Sequence, residues 1–149
     1  MAMATVKTKR WREQVGEDEG LRFLVSHYWP RCVKGMDAPW HDWFRPLAPS
    51  KHLHAARSGR VGPPISFEMF RRRYEREMES KEQQRLIATL ARLLLAGNDL
   101  TLVCCCEEED RCHRVLLKAL TGNEVRRIEQ TRRPAPYTGA DLADAGAHR

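Results

Sequence analysis

Leu100-Thr101-Leu102-Val103-Cys104-Cys105-Cys106 is an apolar run broken by a single threonine. A strand with one wet face alternates apolar and polar residues. A run without alternation reads as a strand covered on both faces, which is characteristic of a parallel sheet in an α/β domain. Upstream, Ser80-Lys81-Glu82-Gln83 has the form of a capping box and opens a helix with an inner stripe of Leu86, Ile87, Leu90, Leu93 and Leu94. Gly97 closes it. Before that, Ser66 is placed to cap a helix whose stripe is Phe67, Phe70, Tyr74 and Met78. Downstream, residues 107–111 read as a charged loop, 112–120 as a helix stopped at Gly122, and 125–128 as a last short strand.

The first half carries weaker signals. Residues 6–11 are β-like, 16–20 form a polar turn, and 21–28 read as a strand ended by Pro30. A loop-rich segment follows, with prolines at 39, 46, 49, 63 and 64. Within it, Trp40, Trp43, Phe44 and Leu47 recur at helical spacing and predict a short helix between Pro39 and Pro46. Ser50 is positioned to cap another short helix through Ala56, and 57–64 read as a mobile surface loop. Strands separated by helices, one of them fully covered, predict a single three-layer α/β domain with a mainly parallel, Rossmann-like sheet. The domain is expected over 1–130, followed by a flexible tail over 131–149 that holds Pro134, Pro136, Gly139 and Gly146.

Length and composition agree with one globular unit. The chain has 149 residues, 42% hydrophobic and 31% charged, which excludes wholesale disorder. No apolar run approaches the ~20 residues of a bilayer span. The first residues lack the apolar centre of a secretory signal, so a cytoplasmic protein without a membrane partner is expected. The formal charge of +6 is concentrated early: residues 1–65 hold 11 basic and 6 acidic side chains, together with all four tryptophans. A basic, aromatic segment suits an anionic partner such as phosphate, a nucleotide or nucleic acid. Five cysteines, three of them adjacent, do not make a disulfide framework, and reduced thiols are expected.

In an open parallel sheet, ligands bind outside the carboxyl ends of the strands. Two segments fall there. One is Cys106 to Arg114, where a strand ends and a helix begins near Cys112. A thiol at a helix start beside Arg111, His113 and Arg114 is acidified by dipole and cations. Cys112, or Cys106, is therefore the candidate nucleophile or redox thiol and His113 its acid–base partner, with Arg31, Arg111 and Arg114 as an anion clamp. The C-x5-R spacing from Cys105 to Arg111 is that of thiol phosphatases, but four acids and no glycine lie between them, which excludes a phosphate cradle. Cys106, Cys112 and His113 alternatively supply ligands for zinc or iron, or for haem. The second segment runs from Ser26 past Trp29, Pro30 and Arg31 to Ser50, with Trp29, Arg31 and Ser50 as ligand-binding candidates. A non-enzymatic reading leaves the thiols inert and makes the basic half a nucleic-acid surface on which tryptophans stack against bases. The sequence specifies neither an organic cofactor nor an oligomeric state.

Five short motifs in order resemble the YeaO-like family, domain of unknown function 488. They are Leu24-Val25, Trp29-Pro30-Arg31, Leu47-Ala48-Pro49-Ser50, Phe70-Arg71-Arg72-Arg73-Tyr74 and Cys112-His113-Arg114. The resemblance covers about 6–128 and implies a small α/β domain of cytoplasmic bacterial and archaeal proteins. Relatives commonly carry an Asp-Arg pair where Ser26 and His27 stand here, and glycine where Cys32 stands. They also commonly read Leu-Arg-Lys-Trp-Phe where Leu53 is followed here by His54, Ala55 and Ala56.

Overall fold

A computed structural model describes residues 3–106 and 108–132. Four strands, β1 (Val6–Arg10), β2 (Leu21–Leu24), β3 (Asp42–Trp43) and β4 (Leu100–Cys104), form one sheet in the order β1-β4-β2-β3. Every pairing is parallel. The covered run is an inner strand: Thr8 pairs with Leu102 on one side and Phe23 with Leu102 on the other. All five residues of β4 are buried.

Four helices complete the described chain: α1 (Lys51–Ser58), α2 (Phe67–Glu77), α3 (Lys81–Leu95) and α4 (His113–Arg132). Ser50 caps α1 by accepting from the Leu53 amide, and Ser66 caps α2 by accepting from Met69. Ser80 precedes α3 as expected, but its hydroxyl makes no cap bond, so the capping box does not form. Instead Gln83 Nε2 donates to the Pro46 carbonyl and Gln84 Nε2 to the Met78 carbonyl. Gly97, at φ +98°, reverses the chain after α3 as the sequence predicts. Gly20 has the stricter constraint: a Cβ there would lie 2.1 Å from the Asp99 carbonyl oxygen. That close approach lets the adjacent Leu21 amide donate to the same oxygen and begin the β2–β4 pairing.

The two faces of the sheet are covered differently. Phe23, Val25, Leu100, Leu102 and Cys104 pack on residues of all four helices, including Leu53, Phe70, Tyr74, Ile87, Leu90 and Leu117. On the other face, Leu24 and Val103 meet Trp40 with Trp11, Trp29 and Trp43 around it. The third layer is thus the loop-rich tryptophan segment, with no helix in the path from β2 to β3 beyond a 3-10 turn at Gly35–Asp37.

Four expectations are corrected. No helix forms between Pro39 and Pro46. Asp42–Trp43 joins the sheet as β3, followed by a 3-10 turn at Arg45–Leu47. The misleading spacing arises because Trp40 and Trp43 serve the tryptophan face, while Phe44 stacks on Phe23 and Leu47 is buried with the helices. Residues 125–128 are not a strand, because α4 runs through Gly122 to Arg132. Leu117, Thr121 and Ile128 are buried along one side of that helix, and this burial outweighs the glycine's helix-breaking preference of about 1 kcal/mol. Two strands are also shorter than read. β2 ends at Leu24, although Val25 still donates to Val103, and the Ser26 hydroxyl then turns the chain by donating to the Tyr28 carbonyl. β4 ends at Cys104, so Cys105 lies past the last pair, Arg10 with Cys104, and is exposed instead of buried. The expected tail from 131 starts inside α4, and its residues 133–149 lie outside the described residues.

Candidate functional site

The carboxyl ends of β2 and β4 meet the start of α4, and sulfur gathers there. Side chains two residues apart share a strand face, so Cys104 and Cys106 lie together with sulfurs 3.6 Å apart. Cys112 and His113 arrive from the start of α4, with Cys112 Sγ 3.5 Å from His113 Nδ1. The four donor atoms, three sulfurs and one ring nitrogen, all lie within 4.8 Å of one another. Cys104, Cys112 and His113 are buried and Cys106 is half-buried.

Surrounding groups orient this cluster. His113 Nε2 donates to the Val25 carbonyl at 2.7 Å, because a carbonyl can only accept. Nδ1 is thereby the nitrogen turned toward sulfur. The Tyr74 ring packs against the imidazole at 5.6 Å, and its hydroxyl donates to the Leu47 carbonyl. Arg114 has no exposed surface and donates from Nε to Cys112 Sγ at 3.3 Å and from Nη2 to the Cys106 carbonyl. A buried guanidinium requires an anion, and Arg114 finds it in sulfur.

The charges follow from these contacts. Cys112 is pushed far below the ordinary thiol range: the Cys104 and Cys106 thiols donate to its sulfur, and the His113 cation adds to them against the cost of burial. Cys104 is pushed well up, because its proton is held toward Cys106 and Cys112 and burial disfavours a second thiolate. Burial pulls His113 down, but the Cys112 sulfur outweighs it and the imidazole is pushed up to about 10. Together they make one thiolate held by its neighbours' protons.

Two cavities open on this edge. A small one, about 80 Å³, is lined by Ser26, His27, Tyr28, Pro49, His54, all three adjacent cysteines and His113. A larger cleft, about 500 Å³, is lined by Tyr28, Trp29, Pro30, Arg31, Arg60 and Cys105. They share Tyr28 and Cys105, so the Trp29-Pro30-Arg31 segment borders the sulfur cluster. Trp29 is partly committed: its indole donates to the Val33 carbonyl and its ring packs against Trp40 and Trp43.

Two of the sequence candidates lie elsewhere. Ser50 lines a separate cavity of about 400 Å³, where its amide and hydroxyl both bind the Glu77 carboxylate. Arg111 is exposed in the 3-10 turn before Cys112. Sequence reasoning missed Cys104 as a member of the cluster, although its alternation with Cys106 signalled the shared face. It also missed Arg60, which only the fold carries to Arg31.

Comparisons with known proteins identify a family. The profile of DUF488-N3a, described as the active DUF488-N3 subclade, matches residues 6–124. The chain belongs to the DUF488 family. The match spans β1 through most of α4 and takes in every residue of the sulfur cluster. Uncharacterized protein YeaO of Escherichia coli K12 is 30% identical over 79 residues, 53% of this chain and 66% of that protein. Uncharacterized protein Rv3073c of Mycobacterium tuberculosis H37Rv is 33% identical over 73 residues, 49% of this chain and 59% of that one. The DUF488 chain thus aligns with less than two thirds of either relative's length. No solved structure matches significantly. Among the described residues, no helix is long and apolar enough to cross a membrane.

Proposed function

We propose that this DUF488 protein binds a small phosphate-bearing anion, of the nucleotide class, at the carboxyl edge of its sheet, next to a cysteine–histidine centre. One observation carries the reading: Arg31 and Arg60 line the same cleft, and among the described residues none that lines it is acidic. Two planar guanidinium groups suit a phosphate's several oxygen acceptors, and the Tyr28 and Trp29 rings give a flat ligand something to stack on. Where that centre holds no metal, the Cys112 thiolate and His113 form a charged pair suited to thiol-dependent chemistry on a ligand already seated beside it. Arg114 donates to that thiolate, and the exposed Arg111 adds a further cation at the same edge.

A nucleic-acid surface has less support. The most basic stretch, on α2, is largely neutralised within its own helix: Arg71 pairs with Glu68 and Glu75, and Arg72 with Glu68. The test is titration with a nucleoside monophosphate, and separately with inorganic phosphate, followed by tryptophan fluorescence and calorimetry. Saturable binding that Arg31→Ala and Arg60→Ala each weaken by on the order of tenfold or more supports the reading. Absence of saturable binding to either probe removes it.

A further inference from the structure

We propose that Cys104, Cys106, Cys112 and His113 form a mononuclear site for a divalent metal ion of the zinc class, with all four side chains as ligands. The inference rests on the reading above that this cluster is the functional centre, and it names what the centre holds.

Geometry is the first argument. Zinc bonded to thiolate at about 2.3 Å and to imidazole at about 2.0–2.1 Å in a tetrahedron sets ligand atoms roughly 3.5–3.8 Å apart. The Cys104–Cys106 sulfurs are 3.6 Å apart, and Cys112 Sγ lies 3.5 Å from His113 Nδ1. With all four atoms within 4.8 Å, the space between them suits one ion and is too tight for an iron–sulfur cage. The adjoining cavity of about 80 Å³ is likewise too small for haem.

The second argument is the outer shell. A metal-binding imidazole characteristically donates its other N–H to a carbonyl or carboxylate, which fixes the ring and the free lone pair. His113 Nε2 does this to Val25, leaving Nδ1 on the sulfur side. Arg114 Nε donates to Cys112 Sγ, the same kind of support for a thiolate ligand.

Charge is the third. Three thiolates carry three negative charges, and a divalent ion with the Arg114 guanidinium supplies three positive ones. The imidazole stays neutral, and the buried site is balanced. Sulfur and imidazole donors without a carboxylate select a soft or borderline ion over magnesium or calcium. The half-buried Cys106, on the wall of the small cavity, gives the ion an entry path. Once bound, the metal would clip the end of β4 to the start of α4 across the intervening acidic segment.

The test is cobalt titration of the full-length, chelator-treated and reduced protein, with zinc content of the untreated protein measured by mass spectrometry. Expected are about one zinc per chain, and cobalt spectra with the strong ligand-field bands of a tetrahedral site plus a thiolate-to-cobalt charge-transfer band. Zinc should displace the cobalt. Cys104→Ser, Cys106→Ser and Cys112→Ser should each diminish the charge-transfer band and weaken zinc binding, whereas Cys32→Ser and Cys105→Ser leave both unchanged. An octahedral, sulfur-free cobalt spectrum in the wild-type protein, or equal loss in Cys105→Ser and Cys112→Ser, overturns the site, and the first result depends on no variant folding. Tight metal with no phosphate binding sinks only the cleft; phosphate binding without metal sinks only this inference.

Discussion

His113 Nε2 sits 2.7 Å from the Val25 carbonyl oxygen, and this single bond ties the start of α4 to the end of β2. It closes the helix layer over the sheet edge where the sulfurs collect. Replacing His113 with Phe keeps a ring of similar shape against Tyr74 but leaves that carbonyl without its donor. An unsatisfied buried acceptor costs about 1–3 kcal/mol. Urea unfolding of the chelator-treated protein should show a loss in that range, and an unchanged midpoint would mean that the bond contributes nothing to stability.

On the opposite face, Glu19 and Arg22 form a buried ion pair, with side chains 2% and 3% exposed, and Lys9 joins the same carboxylate. Glu19 also accepts from the Gly16 amide, so the pair fixes the turn that leads into β2. Glu19→Ala leaves the Arg22 charge buried without its anion. The expected cost is about 3–5 kcal/mol, read from urea unfolding. Replacing both residues by apolar ones of similar volume should recover much of it.

These two contacts show where sequence reading succeeded and where it ran out. β4 was legible because burial on both faces erases alternation, and the caps at Ser50 and Ser66 because capping is local chemistry. The Cys112-His113-Arg114 segment was legible as a candidate because it sets a thiol and cations at a helix start. Which anion they serve was not legible: Arg114 turns inward to sulfur, and only packing decides that. Arg60 and Arg31 are far apart in sequence and carry no pattern linking them. β3 was hidden because a two-residue strand has no periodicity of its own, and its neighbours' alternation between two cores imitated a helix. The 125–128 stretch misled because Gly122 is a local stop signal that the buried stripe of α4 overrides.

His54 gives the protein a pH dependence of known sign. Burial holds its imidazole below the ordinary value of 6.5, with the Arg60 cation and the nearby His113 and His27 adding to the effect while the Cys112 sulfur opposes it. The folded chain therefore takes up this proton less readily than the unfolded one. Its contribution to stability is complete above the unfolded value and lost as pH falls below it. Between about pH 7 and about pH 5, melting temperature should fall more steeply for the wild type than for His54→Gln. Parallel curves would show that His54 is equally protonated in both states.

The last expectation separates an acidic thiol from a reactive one. Cys112 is the strongest acid among the sulfurs, yet it is 2% exposed and accepts from several donors at once. Nucleophilicity falls as a thiol's basicity falls, so a thiolate stabilised this far is a weak attacker even before access is counted. Cys32 and Cys105 are exposed, but burial of part of the Cys105 side chain raises its thiol, which lowers the reactive fraction. A brief treatment with iodoacetamide near neutral pH should thus modify Cys32 first, Cys105 more slowly, and Cys104 and Cys112 only after unfolding. The charge that a helix start and neighbouring cations give Cys112 acts on a ligand or an ion already inside the site, not on reagents from solvent. Peptide mapping by mass spectrometry reads the order directly. Early labelling of Cys112 in the folded protein would mean that the edge of the sheet opens readily, and that this sulfur attacks substrates itself.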